Sequence, residues 1–428
     1  MVATTIIFAL FLANWPSIYR DHFEKQYRMG PWLILWGTVT FLIIIQIIPG
    51  VGALLDTPTY GCFEWLDCNY RTISSFPLAT LSHWSMFTVY FMVVWLVARL
   101  SPLELRTLVL TIVGVGVFQA IYGSVVFSLG QETILGIWPK EHYRSVATGT
   151  FVNRNHFSGY LELVWPMMLS LVTILFSSQP DRSTRHISSP VYGYLVAIML
   201  SLSFGLAILS SQSRLGIVSA LCGVICWSVL TRRYYRSQNS PSFGSLGIIV
   251  LSIALIGILW FGLELLITRF IYAGTIGRQH VWEAVLSLPW TIWLTGIGAD
   301  TFIDFYRTIQ PSASKPLFDY AHSDLLEFFL DYGLVGGALI IAAALNLGRH
   351  THSFPLNRPQ IGAVSGAGAI AIHSLGDFNL HIPGVAVVFW VFVGIVANYH
   401  YNQNHKRLDK KHSRKKRPLE APEYGSTP

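Results

Sequence analysis

The chain has 428 residues, 52% of them hydrophobic and only 12% charged, with a mean hydropathy of +0.49. A water-soluble chain of this length carries more charge to cover its surface, so the composition excludes a soluble globular enzyme and defines an integral membrane protein. The formal net charge of +7 comes from 29 Lys and Arg against 22 Asp and Glu.

A helix needs about 20 mainly apolar residues to cross the hydrocarbon core. Runs of that kind lie near 1–15, 31–50, 82–98, 107–128, 156–176, 191–209, 214–230, 244–264, 331–347, 361–378 and 384–400. They predict an all-α, polytopic bundle of about 11–12 transmembrane helices with one long loop containing short helices. The first run is short. It lacks a basic flank and a small-residue cleavage site, so it reads as a helix rather than a removed signal peptide. Alternating strand patterns are lacking, which argues against a barrel.

Lys and Arg set the orientation. With the spans alternated, the loops on one side and the tail from residue 401 hold 20 of the 29 basic residues. That side is expected to be cytoplasmic. The tail "KRLDKKHSRKKR" reads as a topology anchor or a contact to anionic lipid, not as a nucleic-acid surface. The expected organisation is residues 1–130 as N-terminal spans and 131–264 as core spans carrying a loop and a hairpin. A long outward loop follows at 265–330, then C-terminal spans at 331–400 and the basic tail at 401–428. The long loop is expected to form short helices against the membrane, because "HVWEAVLSL" and "DLLEFFLDYG" have helical apolar spacing. Trp282, Trp290 and Trp293 either stack on sugars or, the plainer reading, form an interfacial belt.

Cys62 and Cys68 in "CFEWLDC" fall on the outward side, where they either close a small disulfide or stay free thiols. Cys222 and Cys226 lie in an apolar span and read as small core residues.

The outward side collects the chemistry. Arg214 is the sole charge between Arg185 and Arg232, and it falls at the tip of a tight hairpin between two spans. The positive-inside rule disfavours a cation there, which leaves snorkelling to headgroups or a grip on a ligand phosphate. Arg154 lies in "TGTFVNRNHFSGYLE" with Asn153, Asn155 and His156, where a span begins. Asn side chains cap orphan N–H groups there, and helix N-termini attract phosphate. Arg278, in "AGTIGRQHVWEAV", stands where another helix begins. Its plainer reading is a surface charge paired with Glu283. His322 precedes or opens a helix that runs into the next span, with Asp324 and Glu327 in its first turn, a setting that favours a neutral imidazole able to accept a proton. His373, Asp377 and His381 recur at intervals of four, which puts them on one face if the helix persists. Without further ligands they read better as hydrogen-bonding groups than as a metal site, and Asp377 is expected to face the bundle interior.

Five segments, "TGTFVNRNHFSGYLELVWPMMLSL", "SQSRLGIVSAL", "GRQHVWEAVLSLPWTIWLTGIGADTF", "YAHSDLLEFFLDYGLVGG" and "HSLGDFNLHIPG", resemble in content and order those of the O-antigen ligase superfamily. That superfamily comprises bacterial inner-membrane O-antigen ligases and related polysaccharide polymerases. The resemblance spans roughly residues 145–400. It implies a periplasmic-side glycosyltransferase that moves a glycan from undecaprenyl diphosphate to an acceptor hydroxyl, on lipid A–core or another glycan. Arginines matching Arg214 and Arg278 would hold the diphosphate, and a histidine matching His322 would act on the acceptor. Arg154, Asn153, Asn155, His156 and Asp377 are expected to bind substrate. Metal and cofactor are not expected, because arginines carry the developing charge and a diphosphate leaves without protonation. The chain departs from the pattern at Leu215-Gly216, where many members have two glycines, and at Ser323, where many have Asn. A polymerase would use the same donor chemistry. A transporter would place charges near the midplane and show internal repeats, unlike this sequence.

Overall fold

The computed structural model describes residues 30–55, 71–176, 190–237, 276–310, 318–351 and 356–398. Helices dominate them: α1 (Gly30–Ile47), α2 (Val51–Leu54), α3 (Pro77–Val97), α4 (Pro102–Ser128), α5 (Arg154–Phe176), α6 (Pro190–Ser211) and α7 (Arg214–Ser237) in the first half. Then come α8 (Ile276–Leu286), α9 (Trp290–Thr295), α10 (Phe302–Ile309), α11 (Asp324–Thr351), α12 (Arg358–His373) and α13 (Pro383–Val396). Seven of these, α1, α3, α4, α5, α6, α7 and α11, are long and apolar enough to cross a membrane. The chain is a multi-pass helical membrane protein. The expected runs at 1–15 and 244–264, the tail from 401 and the pair Cys62 and Cys68 lie outside the described residues. Cys222 and Cys226 are free and half-buried in α7.

The order of burial follows the sequence. Helix α5 is apolar nearly all round, as a helix at the centre of a bundle must be; Leu161, Leu163, Val164, Met167 and Met168 have no exposed surface. Its closest partner is α12, and the reason is a Gly362–Gly366 pair at small-xxx-small spacing. A Cβ on Gly362 would come 2.9 Å from the Met167 Cα, and one on Gly366 would overlap the Leu163 carbonyl. The backbones therefore approach closely, with the Ser170 hydroxyl also against Gly362. Tryptophans in this core are satisfied across helices: Trp227 Nε1 donates to Ser170 Oγ at 2.8 Å and Trp165 Nε1 to Ser201 Oγ at 3.1 Å.

The two ends of the bundle differ. At one end, Ser101 and Glu104 form a capping box on α4, as do Asn357 and Gln360 on α12. Asn398 Nδ2 donates to the Val97 and Leu100 carbonyls, tying the end of α13 to that of α3. These are local closures of orphan backbone groups. At the opposite end the chain is more elaborate, and every candidate site residue lies there.

A loop from 129 to 153 covers part of that end. It carries a two-residue hairpin of β1 (Thr133–Ile134) and β2 (Trp138–Pro139). Buried Lys140 donates through Nζ to the Val146 carbonyl at 3.0 Å, and Ala147 N–H bonds the Ser210 carbonyl at the end of α6. Burial pulls the Lys140 ammonium below its usual pKa, against the opposing pull of Glu132. Helices α8 to α10 pack on one another through Val281, Val285, Ile292, Phe302 and Tyr306. They confirm short helices in the long loop for "HVWEAVLSL". The segment "DLLEFFLDYG" is the first part of α11, which runs into the span as expected but through a non-helical kink at Gly333 (φ 67°, ψ 169°).

Candidate functional site

Four of the sequence-predicted residues meet where α5, α11, α12 and α13 come together. Asn153 accepts the Asn155 N–H through its Oδ1 at 2.9 Å, a local cap that opens α5 as expected. The Asn155 side chain is thereby turned toward the connection after α12, where its Nδ2 donates to Asp377 Oδ2 at 2.6 Å. His156 Nε2 lies 3.9 Å from Asp377 Oδ1. Helix α12 ends at His373, so Asp377 lies in a loop beyond the span rather than within it. Its two oxygens are fixed by Asn155 and by the Phe378 N–H at 2.9 Å.

His322 joins this group through an aromatic ring that the sequence reading missed. Phe378 packs edge-on against His156 at 4.8 Å and against His322 at 5.1 Å, while Tyr320 stacks on it at 4.5 Å. His156 is within electrostatic range of His322 and Asp324 as well as of Asp377. Half-buried His322 has φ +53°, a left-handed conformation that non-glycine residues adopt only when their surroundings impose it. Three contacts impose it here. Trp282 Nε1 donates to the Ala321 carbonyl at 2.8 Å, Glu327 Oε2 accepts the Ala321 N–H at 3.0 Å, and Ser323 Oγ caps the Leu326 N–H at 3.2 Å. Trp282 thus holds the segment before His322 and is more than a belt residue, whereas Trp290 is 70% exposed.

Arg214 opens α7 after a turn in which Gln212 has φ +54° and Ser213 Oγ accepts the Gly216 N–H at 3.3 Å. The tight hairpin is as expected. Its position follows from two close approaches. A Cβ on Gly216 would overlap the Ser158 hydroxyl, and a Cβ on Gly376 would come 3.1 Å from Leu215 Cδ2. The start of α7 is therefore locked to the start of α5 and to the residue before Asp377. Arg154 is the first residue of α5, half-buried, with its guanidinium 5.8 Å from the Tyr143 ring. Arg278 is the third residue of α8, one turn before Trp282; its side chain lies outside the described residues. The alternative partner for it, Glu283, stands 3.7 Å from exposed His280.

The three residues at four-residue spacing go separate ways, because the helix stops at the first of them. His373 Nδ1 pairs with buried Glu162 Oε1 at 2.9 Å. Asp377 serves Asn155 and His156. His381 belongs to a 3-10 turn, Asn379–His381, and sits between two carboxylates, with Nδ1 2.7 Å from Asp324 Oδ1 and Nε2 3.6 Å from Glu327 Oε1. Burial opposes its charge, but Glu327, the hydrogen bond with Asp324 and the charges of Asp324 and Asp331 outweigh it and push its pKa up to about 10. Asp324 also accepts Ser374 Oγ at 2.5 Å and the Leu380 N–H at 3.1 Å. It is a clamp joining α11 to the 3-10 turn.

The fold and this end of the bundle define a polytopic membrane protein with histidines, carboxylates and helix-opening arginines gathered at one end. The family model described as O-antigen ligase matches residues 195–341. Over this stretch, which contains Arg214, Arg278 and His322, the resemblance to the O-antigen ligase superfamily holds. No curated protein matches the chain, and no solved structure matches it.

Proposed function

We propose that the protein transfers a glycan from undecaprenyl diphosphate to an acceptor hydroxyl at the periplasmic face of the bacterial inner membrane. The observation that carries this reading is the clamped imidazole of His322. It rests on Phe378 beside His156 and Asp377, at the end of the bundle where α5 and α7 open with arginines. The family match over Arg214 and His322 supports it.

In this reading His322 takes the proton of the acceptor hydroxyl as that oxygen bonds the anomeric carbon. The bond from that carbon to the diphosphate oxygen breaks, and the lipid diphosphate leaves with the electron pair. Attack opposite the leaving group inverts the anomeric centre. General-base help of this kind is worth about 10²–10⁴-fold. Arg214, Arg278 and Arg154 balance the diphosphate charge, which grows in the transition state and needs no protonation. Asp377 and Asn155 hold His156 and Phe378 in position.

Purified full-length protein, given a lipid-linked glycan and acceptor, is expected to form product with inverted stereochemistry. His322→Ala is expected to lower turnover at least a hundredfold, and Arg214→Ala to weaken donor binding. Unchanged turnover in His322→Ala removes the base. Single repeats accumulating in cells that lack the gene, in place of unattached long chains, indicate a polymerase using the same groups.

A further inference from the structure

A cavity of about 400 Å³ lies among α1, α3, α11 and α13, with Tyr320, the ring stacked on Phe378, in its wall. That volume is in the range of small-ligand sites. Aromatic side chains, Phe87, Tyr90, Phe328 and Trp390, form much of its wall. Its polar lining is acidic: Asp300, Asp324 and Asp331 face it, with His381 and His83. Asp324 is consumed by Ser374, Leu380 and His381, and His83 Nε2 is engaged with Tyr332 Oη at 2.9 Å. Asp331 is different. It is 2% exposed; the Asp300 backbone N–H bonds its carboxyl, yet its Oδ1 has no hydrogen-bond partner among the described residues. A buried carboxylate oxygen left unpaired is costly, so it calls for a donor from outside the chain.

We propose that this cavity binds a neutral or amine-bearing sugar ring of the acceptor, with Asp331 accepting a hydroxyl or amine proton and the aromatic wall packing on the ring's C–H face. The identification as an acceptor site rests on the transferase reading above. An isoprenoid chain would fill the aromatic wall but leave Asp331 Oδ1 without a donor. A phosphate or uronate would bring further acceptor oxygens to a wall already lined by the carboxyl groups of Asp300, Asp324 and Asp331. A sugar supplies both apolar C–H faces and donors. The site's position fits the same assignment: Tyr320 lines the cavity and contacts His381 at 5.0 Å, while its stacking partner Phe378 touches His322. A ring held in the cavity sits beside the unit whose hydroxyl reaches His322. The acidic cavity and the arginine-bearing helix starts then sort a neutral acceptor from an anionic donor end.

The test is saturation-transfer NMR on the full chain in nanodiscs with methyl β-glucoside, methyl β-glucosaminide and methyl β-glucuronide as millimolar probes. The first two are expected to receive saturation and the glucuronide at least fivefold less. Asp331→Asn is expected to weaken the signal severalfold, while His322→Ala leaves it unchanged. Trp390→Leu, at the wall, provides the same reading if Asp331→Asn does not fold. Glucuronide bound as well as the others, no glycoside bound, signals indifferent to both cavity variants, or farnesol bound in place of sugars each overturn the proposal. The two readings fail separately. Sugar binding by a protein without transferase activity defeats the transferase reading and keeps the sugar site. Transferase activity without sugar binding in the cavity does the reverse.

Discussion

The Asn155 side chain reaches Asp377 across 222 positions of sequence, with Nδ2 2.6 Å from Oδ2. This bond joins the first turn of the most buried helix to the loop that carries Phe378. Asp377 is 1% exposed and holds three groups at once: Asn155, the Phe378 N–H and, at 3.9 Å, His156. Asp377→Ala strands two donors in a buried site, which costs about 2–4 kcal/mol. Asp377→Asn keeps the shape and the acceptor for Phe378 but faces Asn155 with an amide. We expect Asp377→Ala to lower thermal stability clearly and to abolish glycan transfer, with Asp377→Asn intermediate in both. A detergent-solubilised thermal melt and a transfer assay on the same preparations check this. An Asp377→Ala protein with wild-type melting and turnover refutes the role.

The Gly216–Ser158 contact yields a second prediction. No room exists for a Cβ at Gly216, and the atom it meets first is the Ser158 hydroxyl. Gly216→Ala must push the start of α7, and Arg214 with it, away from α5. Overpacking of this kind costs about 1–3 kcal/mol. Ser158→Gly removes both Ser158 atoms that the new methyl would strike. We expect the double variant to recover most of the melting temperature and the donor affinity lost in Gly216→Ala. A purely additive loss in the double-mutant cycle contradicts the contact.

His381 gives the protein a pH dependence with a definite sign. Its folded pKa is raised to about 10, from an unfolded value of about 6.5. The stabilisation from its hydrogen bond with Asp324 and its charge interaction with Glu327 is therefore complete below about 6.5 and disappears as pH rises through about 10. Wild-type thermal stability is expected to fall across that window. His381→Gln, which cannot carry the charge, is expected to start lower and to show a flatter profile. Parallel profiles of the two proteins would remove His381 as the source.

Much of this architecture was legible in the sequence, since hydropathy alone marks where a chain crosses a membrane. The starts of α5 and α7 were readable from "VNRN" and "SQSR", because caps and hairpin turns are local. Two things were not. His373, Asp377 and His381 have helical spacing, but the helix ends at His373, and the three side chains take partners on α5 and α11 that local spacing does not reveal. Phe378 and Tyr320 carry no local signal; their role comes from three segments folding onto one ring. The cavity had no local signal either, since its acids come from "GADTF" and "DLLEFFLDYG" and its wall from α1, α3 and α13.

The kink at Gly333 supplies the last prediction. "DLLEFFLDYGLVGG" reads as continuous helix, yet Gly333 has φ 67° and ψ 169°, open to glycine and nearly closed to other residues. A Cβ there would overlap the Leu294 carbonyl, and one on Gly296 (φ +80°) would lie 2.5 Å from the Asp331 carbonyl. The two glycines let α9 and the bend in α11 touch backbone to backbone. That bend also exposes the Asp331 carbonyl to Gln46 Nε2 at 2.6 Å, and Ile297 N–H bonds the Leu330 carbonyl at 2.8 Å. Gly333→Ala has to satisfy a forbidden backbone angle and a clash together. It should straighten α11 or expel α9, and either outcome moves the clamp on His322 upstream of the bend. We expect a loss of about 2–4 kcal/mol and faster hydrogen exchange in 290–300 and 324–333 than elsewhere. Gly336→Ala, one turn on, meets Tyr332 Cβ at 3.2 Å in ordinary helical backbone and serves as the control. Equal effects of the two substitutions would show that the kink carries no special strain.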